Sequence, residues 1–374
     1  MHWTAKMHKD PVGSRFIIGS KISSLKPLGK CLTRIFKVIF HYKKRYYRKV
    51  GFYSGLKHFW CIDKNSDVTE MLDKVNESKT GARSISTFDF TTLYTKIPHD
   101  ELIDVLCKLV DTTFNDTTRR LIAVGNKRAY WVKESSKNPT FDADKVKECL
   151  TFLIRNAYFR VGDRVFRQVI GIPMGSDPAP FFANLFLFYY ECEYVKKLSR
   201  EKKTALAKKF KHIFRFIDDL IAVNDSNEFE KLFKEIYPPM LELKKENVSN
   251  FSASFLDLFI SIVNRRFDYK LFDKRDAFNN FDIVRFPFRC SNMPNNMFHS
   301  TISAEILRIC RATKTLENFK LAADPFLSRM HKQGALKGET CKSMNKLLDR
   351  HSQEFEKYGL NKKQLLQLIL EYLV

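Results

Sequence analysis

Hydrophobic and polar positions follow two rhythms along this chain and divide it into strand-rich and helical stretches. Phe16-Ile17-Ile18 reads as a short strand after a turn at Asp10-Pro11-Val12-Gly13. From Leu25 to about Phe59 the pattern is helical and heavily basic. Ile85 to Phe90 predicts a strand. Pro98 then opens a helix with Leu102, Ile103, Leu106, Leu109 and Val110 on one face. Residues 111–150 are more polar and predict a peripheral lobe. Tyr158 to Ile170 predicts a hairpin turning at Gly162-Asp163, and Gly171-Ile172-Pro173-Met174-Gly175-Ser176 a loop. The stretch from about Pro178 to Lys197 is hydrophobic nearly all round, as a buried helix would be.

Ile213 to Val223 predicts a second hairpin with Asp218-Asp219 at its tip. Behind a cap at Asp225 or Ser226, Phe229, Leu232, Phe233 and Ile236 recur at helical spacing, and Pro238-Pro239 stop that helix. Phe255 to Val263 alternates as one strand, with Leu256, Leu258, Ile260 and Ile262 on one face and Tyr269 to Phe272 returning beside it. From about His299 the pattern is helical, which predicts a separate C-terminal lobe after a boundary near 265–295. Strand–helix units followed by hairpins predict an α+β sheet with helices on one face.

At 374 residues the chain exceeds one compact core. Its 44% hydrophobic content, with 34 Phe and few Gly or Pro, excludes a disordered chain. A net charge of +23 points to a polyanionic partner, nucleic acid before others, with binding that weakens steeply in salt. A solvated cationic surface is the plainer alternative. Against it, Tyr42-Lys43-Lys44-Arg45-Tyr46-Tyr47-Arg48-Lys49 interleaves stacking rings with phosphate-pairing cations. A second basic run spans Lys196 to Lys211. The eight Cys are scattered, with no zinc knuckle or redox pair, and read as reduced, mostly buried thiols. No apolar run reaches membrane-spanning length, and the N-terminus lacks a signal-peptide core. An intracellular protein of nucleus or cytoplasm is expected, with no membrane partner.

Two acidic sites sit where apolar β-rich runs end: Ser86-Thr87-Phe88-Asp89-Phe90 and Phe214-Arg215-Phe216-Ile217-Asp218-Asp219. Carboxylates on neighbouring strands can hold two divalent ions, which clamp the attacking and leaving oxygens of a phosphoryl transfer. Mg²⁺, as two ions, suits all-oxygen ligation, with Mn²⁺ as its substitute. Taken alone, Asp218-Asp219 reads as a surface hairpin turn; Asp89 and the Gly171 loop favour a site.

In order, these motifs resemble those of reverse transcriptases. Phe88-Asp89-Phe90-Thr91-Thr92-Leu93-Tyr94 is similar to motif A, the loop from Gly171 to Pro180 to motif B, and Phe216-Ile217-Asp218-Asp219 to motif C. Lys6-Met7-His8-Lys9-Asp10-Pro11 with Arg15-Phe16-Ile17 resembles the fingers strands, and Phe255-Leu256-Asp257-Leu258 the primer grip. Thr92-Leu93-Tyr94-Thr95-Lys96-Ile97-Pro98 and the Gly171 loop are closest in flavour to Penelope-like retroelements.

The resemblance covers most of residues 1–290 and implies a right-hand polymerase. Fingers and palm would lie in 1–264, the palm at about 84–112 and 168–264, and a largely helical thumb-like region in 265–374. It implies RNA-directed DNA synthesis onto a primer 3′-hydroxyl, with RNA template, DNA primer and dNTPs as partners. Asp89, Asp218 and Asp219 would be catalytic metal ligands. Arg15, Lys9, Lys6, Phe90, Tyr94, Met174 and Gly175 would meet the nucleotide, Tyr94 as a steric gate against a ribose 2′-hydroxyl. Gly171, Pro173, Phe216, Ile217, Lys43, Lys44 and Arg45 would meet template or primer. Lys244 or Lys245 would protonate pyrophosphate. Met174 stands where many relatives carry Gln, which removes a polar contact. No endonuclease signature follows residue 300, so nicking would fall to a separate endonuclease. The fingers-like segment begins almost at residue 1, which raises the expectation of a truncated frame. Two further readings stay open: a catalytically inactive, truncated or domesticated nucleic-acid-binding protein, and RNA-directed RNA synthesis.

Overall fold

The computed structural model describes residues 2–6, 13–19, 23–118, 120–134, 136–173, 175–273, 286 and 288–372. The first elements are β1 (His2–Lys6), β2 (Gly13–Ile17), α1 (Lys26–Ser54), α2 (Ser66–Glu77), β3 (Ile85–Phe90) and α3 (His99–Asn115). Next come β4 (Leu121–Val124), β5 (Ala129–Val132), β6 (Thr140–Phe141), α4 (Ala143–Arg155), β7 (Tyr158–Val161), β8 (Arg164–Arg167) and α5 (Ala179–Arg200). Then follow α6 (Thr204–Lys209), β9 (Ile213–Phe216), β10 (Asp219–Val223), α7 (Glu228–Ile236), β11 (Leu243–Lys245), β12 (Ser252–Phe255), β13 (Leu258–Val263) and β14 (Arg266–Leu271). Helices α8 (Asn295–Ala312), α9 (Leu316–Lys332), α10 (Lys337–Arg350), α11 (Ser352–Phe355) and α12 (Lys362–Glu371) complete the chain. The mixture is α+β, as the sequence predicted.

Two compact units result, one of Met1–Ile62 with Ser84–Val248, the other of Asp63–Arg83 with Ser249–Val374. The sequence set the change of unit at 264/265; the structure sets it at 248/249 and gives 63–83 to the second unit. The reason is pairing. Strands β12, β13 and β14 form one antiparallel sheet, and α2 is tied to it. Asn76 bonds both N–H and C=O of Phe267, and the Tyr269 hydroxyl donates to Asp73 at 2.9 Å.

The centre of the first unit is an antiparallel sheet in the order β11-β3-β10-β9. One face is apolar: Phe88 and Phe90 on β3 and Leu220 on β10 are buried. The rings of Phe88 and Phe229 meet edge-on at 5.0 Å, and those of Phe90 and Tyr237 at 4.9 Å. Helix α5 is buried nearly all round, as predicted. Helix α1 buries Leu32, Ile35, Phe36, Ile39 and Phe40, spaced to share one face, and Phe36 meets Phe182 of α5 at 4.9 Å. It stops at Ser54 rather than near Phe59. Gly55 takes a left-handed φ of 68° and its N–H closes on the Gly51 carbonyl at 2.9 Å. The predicted peripheral lobe at 111–150 is in part core, since Ile122, Val124, Val146 and Leu150 join the main apolar cluster.

The second unit has its own core, with Phe298, Ile302, Phe319, Leu327, Met344 and Leu348 among its members. Its sheet corrects one prediction. Phe255 pairs with Leu258, so Leu256-Asp257 is a tight turn and the predicted single strand is two. Three of the eight thiols are buried, four half-buried, and Cys290 is exposed. Among the described residues no helix is long and apolar enough to cross a membrane.

Candidate active site

Register brings two of the three predicted carboxylates together. Asp89 on β3 lies directly opposite Asp219 on β10. Opposed residues in an antiparallel pair project from the same face, with Cα atoms about 4.5–5.5 Å apart. Lys244 on β11 lies opposite Asp89 on its other side, and Phe216 on β9 opposite Asp219. One face therefore carries the row Lys244, Asp89, Asp219, Phe216. Asp89 and Asp219 are half-buried and Lys244 is exposed. A cation beside Asp89 offsets the repulsion that two opposed carboxylates would otherwise feel.

Asp218 follows Ile217 in the turn that joins β9 to β10, and its carbonyl accepts from the Phe90 N–H at 3.2 Å. Ile217 has φ 56°, while Asp218 is not in the positive-φ region. That is the pattern of a II′ turn, which suits glycine at the position Ile217 fills. A β-branched residue held there stores about 1–3 kcal/mol of strain.

What holds it is a buried network the sequence did not reveal. Arg215, one residue from the turn and on the inward face of β9, is fully buried, as is Glu191 of α5. The guanidinium donates to Glu191 at 2.5 and 3.2 Å, to the Asn184 side chain at 2.8 Å and carbonyl at 3.1 Å, and to the Ile217 carbonyl at 3.0 Å. The Tyr237 hydroxyl donates to Glu191 at 2.9 Å, and the Cys61 thiol to Asn184 at 3.1 Å. Burial opposes the guanidinium charge, but Cys61 and Glu191 outweigh it, so Arg215 holds its proton more tightly than usual. Burial, with Glu191 adding, raises the Tyr237 phenol well above its ordinary range. One signal could have found the network. Asn184 and Glu191 are polar, seven positions apart on one face of a helix that is otherwise apolar or aromatic from Ala179 to Cys192.

The Gly171 loop packs against the chain itself. Gly171 (φ 83°) donates to the Ile97 carbonyl at 2.7 Å, and a Cβ there would lie 2.4 Å from the Tyr94 carbonyl oxygen. Ile172 donates to that same carbonyl at 3.0 Å, and His99 Nε2 lies 3.0 Å from the Gly171 carbonyl. A Cβ on Gly175 (φ 99°) would sit 1.8 Å from the Ile18 carbonyl oxygen, just beyond β2. The close approach that these glycines permit is thus to Tyr94 and Ile18. Pro173 lines a small cavity of about 70 Å³ with Leu25, Gly29 and Asp177. Lys26 pairs with Asp177 at 2.8 Å.

The remaining predicted residues divide. Lys6 ends β1 opposite Gly13, and Arg15 lies on β2 opposite Thr4. Lys9 and Met174 lie outside the described residues. Tyr94 is half-buried against the apolar cluster. Phe90 cannot offer its ring to a nucleotide, because strand alternation turns it into the core. Lys43 and Lys44 are likewise buried rather than phosphate-facing. Lys43 Nζ reaches Thr112 at 3.1 Å and Asp116 at 3.2 Å, and Tyr42 donates to the Asp116 carbonyl at 2.9 Å. Burial lowers the Lys43 pKa, with Asp116 opposing. Arg45 is exposed. Lys245 pairs with Glu230 at 2.7 Å.

Hard carboxylate oxygens at Asp89, Asp218 and Asp219 are the donor type Mg²⁺ takes. The register supplies the convergence. Among the described residues, however, no three His, Cys, Asp or Glu side chains are gathered within reach of one ion.

No protein-family model matches the chain, and no curated protein does. Among solved structures, telomerase from Candida albicans, in complex with a TWJ fragment of telomeric RNA, aligns over 93% of the chain at TM-score 0.57 and 11% identity. The fold is of the reverse transcriptase type. Telomerase from Candida tropicalis, also with a TWJ fragment, aligns over 94% of the chain at TM-score 0.46 and 13% identity. The chain spans 55% of the length of the Candida albicans telomerase chain.

Proposed function

We propose that this chain is an RNA-directed DNA polymerase that extends a primer 3′-hydroxyl with dNTPs. The observation that carries the reading is the register of Asp89 opposite Asp219, with Asp218 in the adjoining strained turn, on a fold of reverse transcriptase type. Asp89, Asp218 and Asp219 would hold two Mg²⁺ ions, or Mn²⁺. When bound, such ions lower the pKa of the attacking hydroxyl and neutralise charge on the leaving pyrophosphate. The four-stranded sheet would be the palm, β1 and β2 part of the fingers, and the helices from α8 onward thumb-like. We assign the proton-donor role to Lys244 rather than Lys245, since Lys245 is paired with Glu230. Tyr94, fixed beside the Gly171 loop, would be the gate against ribonucleotides. An RNA partner is supported by the charge of +23 and by the RNA bound to the Candida albicans telomerase. The Penelope-like assignment rests on Thr92 to Pro98 and the Gly171 loop.

Primer extension on an RNA template with Mg²⁺ or Mn²⁺ tests the reading. Extension by dNTPs that Asp218→Asn abolishes upholds it. A second reading, a binding protein that keeps the fold, is favoured by the ungathered carboxylates. Equal RNA binding by wild type and Asp218→Asn, with extension by neither, would select it.

A further inference from the structure

The segment that follows β3 is stitched to the segment that leads into β11. Thr92 is buried, and its hydroxyl is used in both directions. It accepts from the Glu242 N–H at 2.9 Å and donates to the Met240 carbonyl at 3.1 Å. The Thr91 N–H adds a bond to the Glu242 carbonyl at 3.0 Å. The side chains of Lys96 and Glu242 pair across the same seam, where both are exposed. Lys244, opposite Asp89, lies two residues beyond Glu242.

Thr92 also anchors the turn that carries Tyr94. Its carbonyl accepts from the N–H groups of Thr95 and Lys96, each at 3.0 Å, so Leu93 and Tyr94 sit inside one closed turn. The Tyr94 carbonyl in turn accepts from the Ile172 N–H of the Gly171 loop at 3.0 Å. The turn therefore has two attachments. The one to the Gly171 loop runs from backbone to backbone, and side-chain identity does not enter it. The one to 240–242 depends on a single hydroxyl. Threonine offers a donor and acceptor lone pairs there, whereas valine has nearly the same shape and neither. Branching at Cβ restricts χ1, so the direction of that hydroxyl follows from the backbone of the turn.

We propose that Thr92 is a positioning residue for sugar discrimination. It holds the Tyr94 turn against 240–242, and with it the ring that rejects a ribose 2′-hydroxyl. Its side chain is buried and bonded within the protein, so it acts through Tyr94 and not on the nucleotide. The proposal rests on the reading of Tyr94 as the gate of an RNA-directed DNA polymerase. Replacing the hydroxyl by a methyl takes the partner from the Glu242 N–H and from the Met240 carbonyl, which frees the turn on that side.

Single-nucleotide incorporation from a dNTP and from the matching rNTP, on one primer and RNA template, tests it. Each substrate yields a kcat/KM, and their ratio measures discrimination. In Thr92→Val the dNTP-to-rNTP ratio should fall about tenfold or more, since misplacing a contact group by about an ångström is worth up to ~10²-fold. Loss of folded protein cannot imitate this, because it lowers both efficiencies together. Thr92→Ser keeps both bonds and should hold the ratio within about twofold of wild type. Glu242→Ala removes only the exposed pair with Lys96 and keeps the backbone N–H, so its ratio should also stay within about twofold. Hydrogen exchange over 90–97 and 240–245 reads the seam without turnover; it should quicken in Thr92→Val and not in Thr92→Ser. If Thr92→Val does not fold, Thr92→Cys keeps the volume with a weaker donor and acceptor and should lower the ratio in the same direction. Tyr94→Ala separates the two claims. A ratio that collapses in Tyr94→Ala but holds in Thr92→Val, or exchange unchanged in Thr92→Val, overturns the role of Thr92 and leaves the gate standing. A ratio unmoved by Tyr94→Ala removes the gate and the proposal with it, as does a wild-type chain that extends with neither nucleotide.

Discussion

Glu191→Gln probes the buried ion pair beneath the Asp218 turn. The substitution keeps the volume and removes the charge, which leaves the Arg215 guanidinium fully buried without an anion. Removing one partner of a buried pair costs about 3–5 kcal/mol, because the other charge stays desolvated. The remaining acceptors of Arg215, the Asn184 side chain and carbonyl and the Ile217 carbonyl, are neutral. The new amide oxygen still accepts one bond and recovers about 1 kcal/mol. A net loss of about 2–4 kcal/mol follows, or roughly 4–16 °C in Tm at ~2–4 °C per kcal/mol for a unit of this size. Urea unfolding followed by circular dichroism measures it. The double substitution Arg215→Met/Glu191→Leu separates stability from positioning. It removes both charges together, so stability should stay within about 1 kcal/mol of wild type or rise. It also removes the donor 3.0 Å from the Ile217 carbonyl, so metal-dependent extension should fall without a fall in Tm. A Glu191→Gln protein within about 1 kcal/mol of wild type would refute the reasoning, since no buried unpaired cation is that cheap.

Three other outcomes follow. Gly175→Ala should destabilise by at least about 1–3 kcal/mol in urea unfolding, because the new methyl meets the Ile18 carbonyl at 1.8 Å and φ is 99°. Lys43→Met should leave the salt slope of RNA binding unchanged, whereas Arg45→Ala should lower it by about 0.7 if Arg45 meets a phosphate. Burial, with Lys211 and Lys57 adding, holds His212 down at about 4 from an ordinary 6.5. The folded chain therefore favours the neutral ring. Stability from this group is complete above pH 6.5 and is lost as pH falls toward 4. His212→Asn should flatten that part of the unfolding profile, and an unchanged slope would remove His212 as its source.

Local signals in the sequence were sufficient for much of the framework. Periodicity marked β3, α3 and α5, and Gly162-Asp163 marked the β7–β8 turn. Asp89 and Asp218-Asp219 stood out because carboxylates end apolar strands there. Long-range pairing was not legible. Lys43 and Lys44 read in the sequence as phosphate-pairing cations, and only Thr112 and Asp116, distant in sequence, show Lys43 to be internal. Arg215 alternates with two Phe as any strand residue would, and its burial depends on Glu191 of another element. Leu256 fits an uninterrupted alternation, yet its φ of 55° makes it a turn residue. The grouping of 63–83 with the C-terminal half depends on Asn76 and Asp73 meeting β14, which no local pattern reports. The opposition of Asp89 and Asp219 is likewise a fact of register.

The most direct measurement is local backbone cleavage by Fe²⁺ bound in place of Mg²⁺, with ascorbate and peroxide present. Cuts beside residues 89 and 218, suppressed by excess Mg²⁺ and absent in Asp89→Asn, are expected if these carboxylates share metal ions. Cuts confined to other segments, or a pattern indifferent to Asp89→Asn, would contradict a metal site on this sheet.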